Sequence, residues 1–319
     1  MRVALIGFGN VARAFTFLIQ RKKGVFPFRI VGAHTRHGTA INDAGLSADA
    51  QLGPRLPSVE EFLDRSRPEV VAELTTLNPE TGEPAISHIR AAFERGCHVI
   101  TANKGPIANA YAVLREEARQ AGVEFRFEST VMDGAPVFNT VRNNLPGVRV
   151  LGFTGALNST SKLVIDAMRA GKSMEEGIRE AQEKGVAEAD AGYDIDGWDS
   201  AAKAAALANV MMDANITPQH VERRGIRRLT PERMREFADK RKTVVLISRG
   251  RTTAEGIRLR VRAEVLDETD LLASARGTSN ILLLHTDLMG TVGTVSISPG
   301  VEQTAYGVFS DLVDIAKSL

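Results

Sequence analysis

An aspartate and a lysine four residues apart, Asp199 and Lys203, are the side chains of this sequence best suited to acid–base chemistry. They begin a stretch, residues 199–212, that is otherwise mostly Ala, Leu, Val and Met, which predicts a buried helix. Residues at positions i and i+4 share one helical face, so a carboxylate there can fix the position of an ammonium that transfers protons. The alternative is an ion pair on the helix surface, which would contribute little to stability.

The segment that leads into this helix is rich in carboxylates. Residues 188–199 contain four Asp and one Glu, interrupted by Gly and Ala. The spacing does not match the D-x-[DN]-x-[DN]-G pattern with a final Glu that a calcium-binding loop requires. The segment is therefore either a solvated turn between two helices or part of the same site as Asp199 and Lys203.

A glycine-rich hexamer near the N-terminus, residues 7–12 (GFGNVA), predicts a dinucleotide site. It lies directly between an apolar strand-like run and an amphipathic helical stretch, the context that distinguishes a nucleotide-binding turn from a structural one. The first Gly allows a tight turn, the second lets backbone N–H groups approach a pyrophosphate, and Ala12 permits close packing. The predicted cofactor-binding residues of this turn are Gly7, Phe8, Gly9, Asn10 and Val11.

The end of the second predicted strand favours NADP over NAD. An NAD-binding site normally has a carboxylate there to accept hydrogen bonds from the ribose 2′-hydroxyl. This chain has no Asp or Glu before Asp43, whereas Arg36 could pair with a 2′-phosphate and Thr35 could donate a hydrogen bond to it. We therefore expect NADP as the cofactor, with NAD possible but weaker. Alternatively, Arg36 is only a solvated loop charge.

Two further loops follow predicted strands, where ligands of open α/β sheets bind. The first contains Thr75 and Thr76, and the second contains Asn103 and Lys104 followed by Gly-Pro. We predict that all four residues contact the cofactor, and that Lys104 also takes part in the chemistry. A capping or solvated role is the alternative for Lys104.

These candidate residues need a scaffold, and the hydrophobic pattern indicates an α/β one. In the first half, short β-branched runs alternate with amphipathic stretches, which predicts βαβ units and a mostly parallel sheet. Helical stretches then precede alternating strands after about residue 148, which predicts a second, α+β domain. Residues 218–232 are the most linker-like stretch.

Composition excludes several classes of partner. The 319 residues carry 40 Lys and Arg against 39 Asp and Glu, so no global charge favours nucleic acid or an anionic membrane. No run approaches the roughly 20 apolar residues that span a bilayer, and the N-terminal residues do not resemble a secretory signal. We therefore expect a cytoplasmic protein with a small-molecule substrate.

Several motifs together resemble the homoserine dehydrogenase family over almost the whole chain, in the short form without a C-terminal regulatory domain. The G-x-D-x-A-x-K core, which ends at Lys203, and the N-K-G loop at Lys104 are specific in combination. The matching segments are residues 7–12, 78–84, 101–106, 157–161, 188–203, 276–280 and 302–307.

The resemblance implies reversible, NADP-dependent reduction of L-aspartate 4-semialdehyde to L-homoserine, a step of threonine and methionine biosynthesis. It implies a Rossmann-type dinucleotide-binding domain, residues 1–135 plus 302–319, and a second α+β catalytic and dimerisation domain, residues 136–301, in a homodimer. Lys203 and Lys104 would be the proton-transfer pair, assisted by Asp199.

The same resemblance assigns substrate-binding and cation-binding residues. Glu188 would bind the substrate amino group, and Asp194, Thr160 and Asn158 would hold the substrate side of the pocket. Backbone atoms near Glu128 and Val131 would bind a monovalent cation such as Na⁺. The alternatives are a paralogous dehydrogenase of another small hydroxy or amino acid and a non-catalytic NADP-binding protein.

Overall fold

Two six-stranded sheets organise the chain, one in each of the two units into which it divides. The computed structural model describes residues 1–187 and 190–319. The first unit comprises Met1–Pro136 and Gly300–Leu319, and the second comprises Val137–Pro299. The prediction of an α/β domain followed by an α+β domain is confirmed.

The first unit is built on a sheet of order β3-β2-β1-β4-β5-β6, parallel except for β3. Its strands are β1 (Arg2–Ile6), β2 (Arg29–His34), β3 (Thr39–Ile41), β4 (Val70–Glu73), β5 (His98–Thr101) and β6 (Phe125–Arg126). Its helices are α1 (Asn10–Lys22), α2 (Val59–Ser66), α3 (Ala85–Phe93), α4 (Lys104–Ala121) and the C-terminal helix (Val301–Ser318). The strand order reverses at β1, so the ligand crevice of such a sheet begins at the carboxyl end of β1.

The core of the first unit explains why the C-terminal helix belongs to it. Phe309 of that helix packs edge-on against Phe26 and Phe28, with ring centroids 5.4 and 6.0 Å apart. The helix also packs along α1, and its apolar residues join one buried cluster with those of β1 and β4. Burial of apolar side chains is the main stabilising term here.

The second unit is built on a sheet of order β12-β11-β7-β9-β10-β8, antiparallel except for the β8–β10 pair. Its strands are β7 (Val150–Ala156), β8 (Glu222–Arg224), β9 (Lys242–Thr253), β10 (Gly256–Asp267), β11 (Asn280–Thr286) and β12 (Thr291–Ser296). Its helices are α5 (Ser159–Arg169), α6 (Met174–Glu183), α7 (Gly192–Ile195), α8 (Trp198–Met212) and α9 (Pro231–Asp239). The Ala-rich α8 packs against β9 and β10, which buries most of its side chains.

The prediction of a linker at residues 218–232 was wrong. This stretch contains β8, which pairs with β10, and it includes the start of α9. The Thr230 hydroxyl caps that helix and Pro231 is its first residue, a recognisable helix start. A strand of three residues is too short to show periodicity, so only its pairing with β10 reveals it.

None of the helices in the described part of the chain has both the length and the apolar character needed to cross a membrane.

Gly134 marks a close approach between the backbone of the first unit and its C-terminal helix. A Cβ atom at Gly134 would lie 2.0 Å from the Gln303 carbonyl oxygen and 2.9 Å from the Gly307 nitrogen. Gly134→Ala should therefore lower the free energy of unfolding by about 1–3 kcal/mol, as overpacking does. Urea unfolding measures this, with Gly24→Ala as control, since a Cβ there meets nothing within 4 Å. Equal stability of the two variants would contradict the packing argument.

Candidate active site

The turn after β1 has the geometry of a nucleotide-binding turn. Gly7 has φ +96° and its N–H donates to the His34 carbonyl, 2.8 Å away. A Cβ at this position would lie 2.6 Å from the Leu74 carbonyl oxygen, so only glycine fits. Space is open around Gly9, and no side chain caps the start of α1 there. The uncapped N–H groups suit an anion such as a pyrophosphate.

Three predicted cofactor loops lie at the carboxyl ends of adjacent strands β1, β4 and β5. The Asn103 side-chain amide donates to the backbone oxygens of Thr75 and Thr76, at 3.2 and 3.3 Å. Its side-chain oxygen also accepts from the Gly105 N–H at 2.9 Å and so caps α4. Asn103 therefore holds two of the predicted cofactor loops together.

Lys104 is the first residue of α4 and is partly buried. Because Asn103 supplies the cap of α4, a capping role is not needed to explain Lys104. Its position at the carboxyl end of β5 is the one that the sequence predicted.

Glu73 is a functional candidate that the sequence analysis missed. This carboxylate is fully buried and accepts hydrogen bonds from the Thr75 N–H (3.2 Å), the Thr75 hydroxyl and the Thr101 hydroxyl (3.2 Å). The His88 Nδ1 atom lies 3.5 Å away. Burying a carboxylate is costly unless it is hydrogen-bonded, so these contacts restrain the Thr75 loop. The signal was a Glu at the end of an otherwise apolar strand.

The turn after β2 presents Arg36 to solvent. The Thr35 hydroxyl accepts from the N–H groups of His37 and Gly38 and donates to the Gly38 carbonyl at 3.2 Å, so it shapes the turn. Donation from Thr35 to a cofactor stays a prediction. The Arg36 guanidinium donates to His37 at 2.8 Å and has no carboxylate within 4.0 Å among residues 1–187 and 190–319.

In the second unit, the pair predicted at the start of α8 is present. The Lys203 Nζ atom donates to the Leu157 carbonyl at 2.6 Å and lies 3.3 Å from the Asp199 carboxylate. The two side chains are only 15% and 14% exposed, which rules out the alternative of a solvated surface ion pair. The ammonium is thus held in one position by a carbonyl from the end of β7 and a carboxylate of its own helix.

Asn158 connects the other predicted substrate residues to this pair. Its amide nitrogen donates to Asp194 at 2.5 Å and to Asp199 at 3.0 Å, and its oxygen caps α5 by accepting from the Ser161 N–H. Thr160 is buried in the first turn of α5, and its side chain lowers the pKa of Asp194. The structure therefore brings Asn158, Thr160, Asp194, Asp199 and Lys203 together. The predicted substrate residue Glu188 lies outside the described residues.

Asp194 has a perturbed acidity. Its pKa is raised from 3.8 to about 6, first because burial penalises the charged form and then because Asp199 carries a like charge. Hydrogen bonds from Asn158 and Thr160 and the charge of Lys203 act in the opposite direction. Perturbed carboxylates of this kind are common in active sites.

Lys162 is a second buried charge that the sequence analysis did not single out. Its Nζ atom donates to the Ser279 carbonyl at 2.6 Å and to the Asn280 side-chain oxygen at 3.0 Å. It thereby joins α5 to the segment 276–280, one of the motifs of the family resemblance. No local pattern distinguishes this Lys from a solvated one in the first turn of a helix.

The predicted cation residues Glu128 and Val131 lie in and next to a buried 3-10 turn of the first unit. The Glu128 N–H donates to the buried carboxylate of Asp311 at 2.8 Å. Among the described residues, no group of three His, Cys, Asp or Glu side chains could hold a metal ion.

Comparison with known proteins supports the resemblance to homoserine dehydrogenases over both units. A family model described as "Homoserine dehydrogenase, NAD binding domain" matches residues 7–128, and one described as "Homoserine dehydrogenase" matches residues 136–313. The chain is 32% identical to a homoserine dehydrogenase of Methanocaldococcus jannaschii, over 100% of this chain and 99% of that protein. It is 34% identical to an NAD(+)-dependent homoserine dehydrogenase of Pseudomonas canavaninivorans, over 99% and 96% of the two chains.

One solved structure extends the comparison to three dimensions. A hyperthermophilic archaeal homoserine dehydrogenase in complex with NADPH superposes with a TM-score of 0.83 at 27% identity, over 100% of this chain and 98% of that one. Fold, site and comparisons together define an NAD(P)-dependent oxidoreductase that acts on CH–OH groups. The chain belongs to the homoserine dehydrogenase family, which confirms the resemblance read from its motifs.

The raised pKa of Asp194 makes a prediction about stability and pH. A carboxyl whose pKa is higher in the folded state binds its proton more tightly there, so its ionisation lowers stability as pH rises from about 4 to about 6. Asp194→Asn removes this ionisation and should raise the Tm at pH 7.5, on the order of 2–4 °C. The gain should shrink towards pH 4. Calorimetry at several pH values tests this, with the exposed Asp239→Asn as control; a gain that does not depend on pH would contradict it.

Proposed function

We propose that this protein catalyses the reversible, NADP-dependent reduction of L-aspartate 4-semialdehyde to L-homoserine, with Lys203 transferring the proton. The observation that carries this proposal is the position of the Lys203 ammonium, buried between the Leu157 carbonyl and Asp199 beside a cluster of polar residues. Membership of the homoserine dehydrogenase family supplies the substrate.

The chemistry explains why a buried lysine is needed. Bound NADPH, held at the turn after β1, would supply the hydride for the aldehyde carbon of the substrate. Negative charge would then develop on the carbonyl oxygen. An ammonium in a fixed position stabilises that charge and gives its proton to the oxygen, so the product is an alcohol. In the reverse direction, the neutral lysine takes the proton of the hydroxyl group. Lys104 is proposed as the second member of the proton-transfer pair.

The remaining polar residues would bind the substrate. Asp194, Asn158 and Thr160 offer hydrogen bonds within one connected cluster. Glu188 would pair with the substrate ammonium, an assignment that rests on the family resemblance alone. A neutral amide in its place keeps a hydrogen bond but loses the charge, so Glu188→Gln should affect KM more than kcat.

The proposed cofactor preference is NADP, with NAD weaker. One similar protein is named NAD(+)-dependent and one similar structure contains NADPH, so the choice rests on residues of this chain. The exposed Arg36 has no carboxylate partner among the described residues, and no carboxylate follows β2 to bind a ribose hydroxyl. A guanidinium in this position suits a 2′-phosphate.

We also propose a role for each domain and a homodimeric assembly. We assign cofactor binding to residues 1–135 plus 302–319, and catalysis and dimerisation to residues 136–301. Exposed apolar side chains on and beside β12, Val295 and Ile297, agree with a homodimer formed through the second unit. Light scattering that gives 34.5 kDa, the mass of one chain, would exclude the dimer. A cytoplasmic location stays a prediction from the sequence.

A monovalent cation near Glu128 and Val131 is also proposed. Two buried carboxylates, Glu128 and Asp311, lie at this turn, so a bound cation would be favoured electrostatically, and backbone oxygens suit Na⁺. Unfolding in NaCl and in choline chloride at equal ionic strength measures the effect. An equal Tm in the two salts would exclude the site.

Arg36→Ala should weaken binding of NADP⁺ but not of NAD⁺. Losing a charge-assisted contact to phosphate costs about 1.5–3 kcal/mol, which is roughly a tenfold or greater loss of affinity. Titration of both cofactors into the wild type and the variant measures the ratio of their dissociation constants. Arg21→Ala, an exposed arginine near the other end of α1, is the control. Equal wild-type affinities, or an unchanged ratio in the variant, would refute the preference.

Lys203→Met should lower kcat by about 10²–10⁴-fold with little change in NADP⁺ affinity, because it removes a general acid–base group. Single-turnover kinetics with homoserine measure this, and exposed Lys184→Met is the control. Hydride transfer at a near-normal rate in the variant would move the proton-transfer role to Lys104 or to water. The wild type is also assayed with threonine and with malate. Oxidation of either compound faster than homoserine would indicate a paralogous dehydrogenase. No turnover of any of the three would indicate a non-catalytic NADP-binding protein.

A further inference from the structure

A cavity of about 370 Å³ on the second unit carries a concentrated positive charge. It lies beside β8 and the start of α8, and its lining does not include Asp194, Asp199 or Asn158. Its charged and aromatic lining consists of Asp196, Trp198, Arg223, Arg224, Arg227 and Arg228. The lining therefore contains four arginines and one aspartate.

The single carboxylate is already engaged. Arg227 donates to both oxygens of Asp196, at 2.7 and 2.8 Å. Arg223 lies over the Trp198 ring, 3.7 Å from its centroid, and donates to the Asp196 backbone oxygen at 2.7 Å. In the described part of the chain, Arg224 and Arg228 have no carboxylate within 4.0 Å. The charge of Asp190 also acts on Arg227, but the lining keeps an excess of positive charge.

Of the four arginines, Arg223 is partly buried, whereas Arg224, Arg227 and Arg228 are exposed. Burial lowers the pKa of the Arg223 guanidinium, and the charge of Asp196 only partly opposes this effect. Guanidinium groups present N–H donors in a planar fork that matches phosphate oxygens, and one phosphate group brings close to two negative charges. A cavity of this volume has room for a small phosphorylated molecule as well as for phosphate itself.

We propose that the arginine pocket, the cavity lined by Arg223, Arg224, Arg227 and Arg228, binds a phosphate group, either free or carried by a small metabolite. Bound phosphate would neutralise the excess charge and would compete with Asp196 for Arg227.

The pocket is joined to the candidate substrate residues by a short stretch of backbone. Segment 223–228 is held to the turn between α7 and α8 by the Ile226 N–H, which donates to the Ile195 carbonyl at 2.8 Å, and by the arginine contacts to Asp196. Asp194 and Asp199 flank that turn and contact Asn158. We therefore expect phosphate in the pocket to change the affinity for substrate, a consequence that rests on the proposed function.

Calorimetric titration of inorganic phosphate into the whole protein tests the site. Saturating NADP⁺ keeps the cofactor site occupied, and chloride holds the ionic strength constant. We expect saturable binding that weakens at least tenfold in the double variant Arg224→Gln/Arg228→Gln. The control Arg233→Gln/Arg235→Gln removes two exposed arginines of α9 and should bind like the wild type. No saturable binding, or equal affinity in the double variant, would overturn the proposal.

Two further measurements identify the ligand and test whether phosphate binding affects substrate binding. If glycerol 3-phosphate binds more tightly than phosphate, the ligand is a phosphorylated metabolite; if it binds more weakly, the ligand is the free ion. Succinate is the third ligand tested. If succinate binds as tightly as either, the choice of phosphate is overturned. The KM for homoserine should change about fivefold with phosphate in the wild type but not in the double variant. A KM that does not change would overturn the coupling. If homoserine is not a substrate, the titration alone still decides whether the pocket binds phosphate.

Discussion

The arrangement of the second unit depends on one amide, Asn158, which is shared by two carboxylates. Asp194 and Asp199 carry like charges in a partly buried place, where repulsion and desolvation both disfavour ionisation. The amide donates to both, and its oxygen holds the start of α5. The end of β7, the start of α5 and the segment that joins α7 to α8 are therefore fixed relative to one another, and Lys203 is fixed with them through Leu157 and Asp199.

The first unit also contains a buried carboxylate that hydrogen bonds stabilise. Glu73 is fully buried at the carboxyl end of β4, and the hydrogen bonds that make its burial tolerable come from Thr75 and Thr101. Asn103 then connects the same loop to the start of α4. The proposed cofactor loops are thus restrained by buried polar contacts, which agrees with a site that is formed before its ligand arrives.

The turn between α7 and α8 faces two different environments. Asp194 and Asp199 point to the Asn158 cluster, whereas Asp196 points to Arg227 at the arginine pocket. Three carboxylates in and beside one short turn thereby connect the candidate substrate residues to a basic surface. A dense acidic segment in a sequence does not distinguish these two roles, because both use the same residue type.

Features that depend on local geometry were predictable from the residue pattern alone. The nucleotide-binding turn requires a glycine, and the Asp199–Lys203 pair requires a spacing of four residues on a helix. The alternation of strands and helices predicts a parallel sheet. Features that join distant segments became visible only in the folded chain. The three residues of β8 are a strand only because they pair with β10. Glu73 and Lys162 are of interest because folding buries their charges. Asn158 and Asp194, which form a hydrogen bond, are 36 residues apart in the sequence. Hydrogen bonds and burial between remote segments leave no periodic pattern in either segment, which is why a sequence alone does not reveal them.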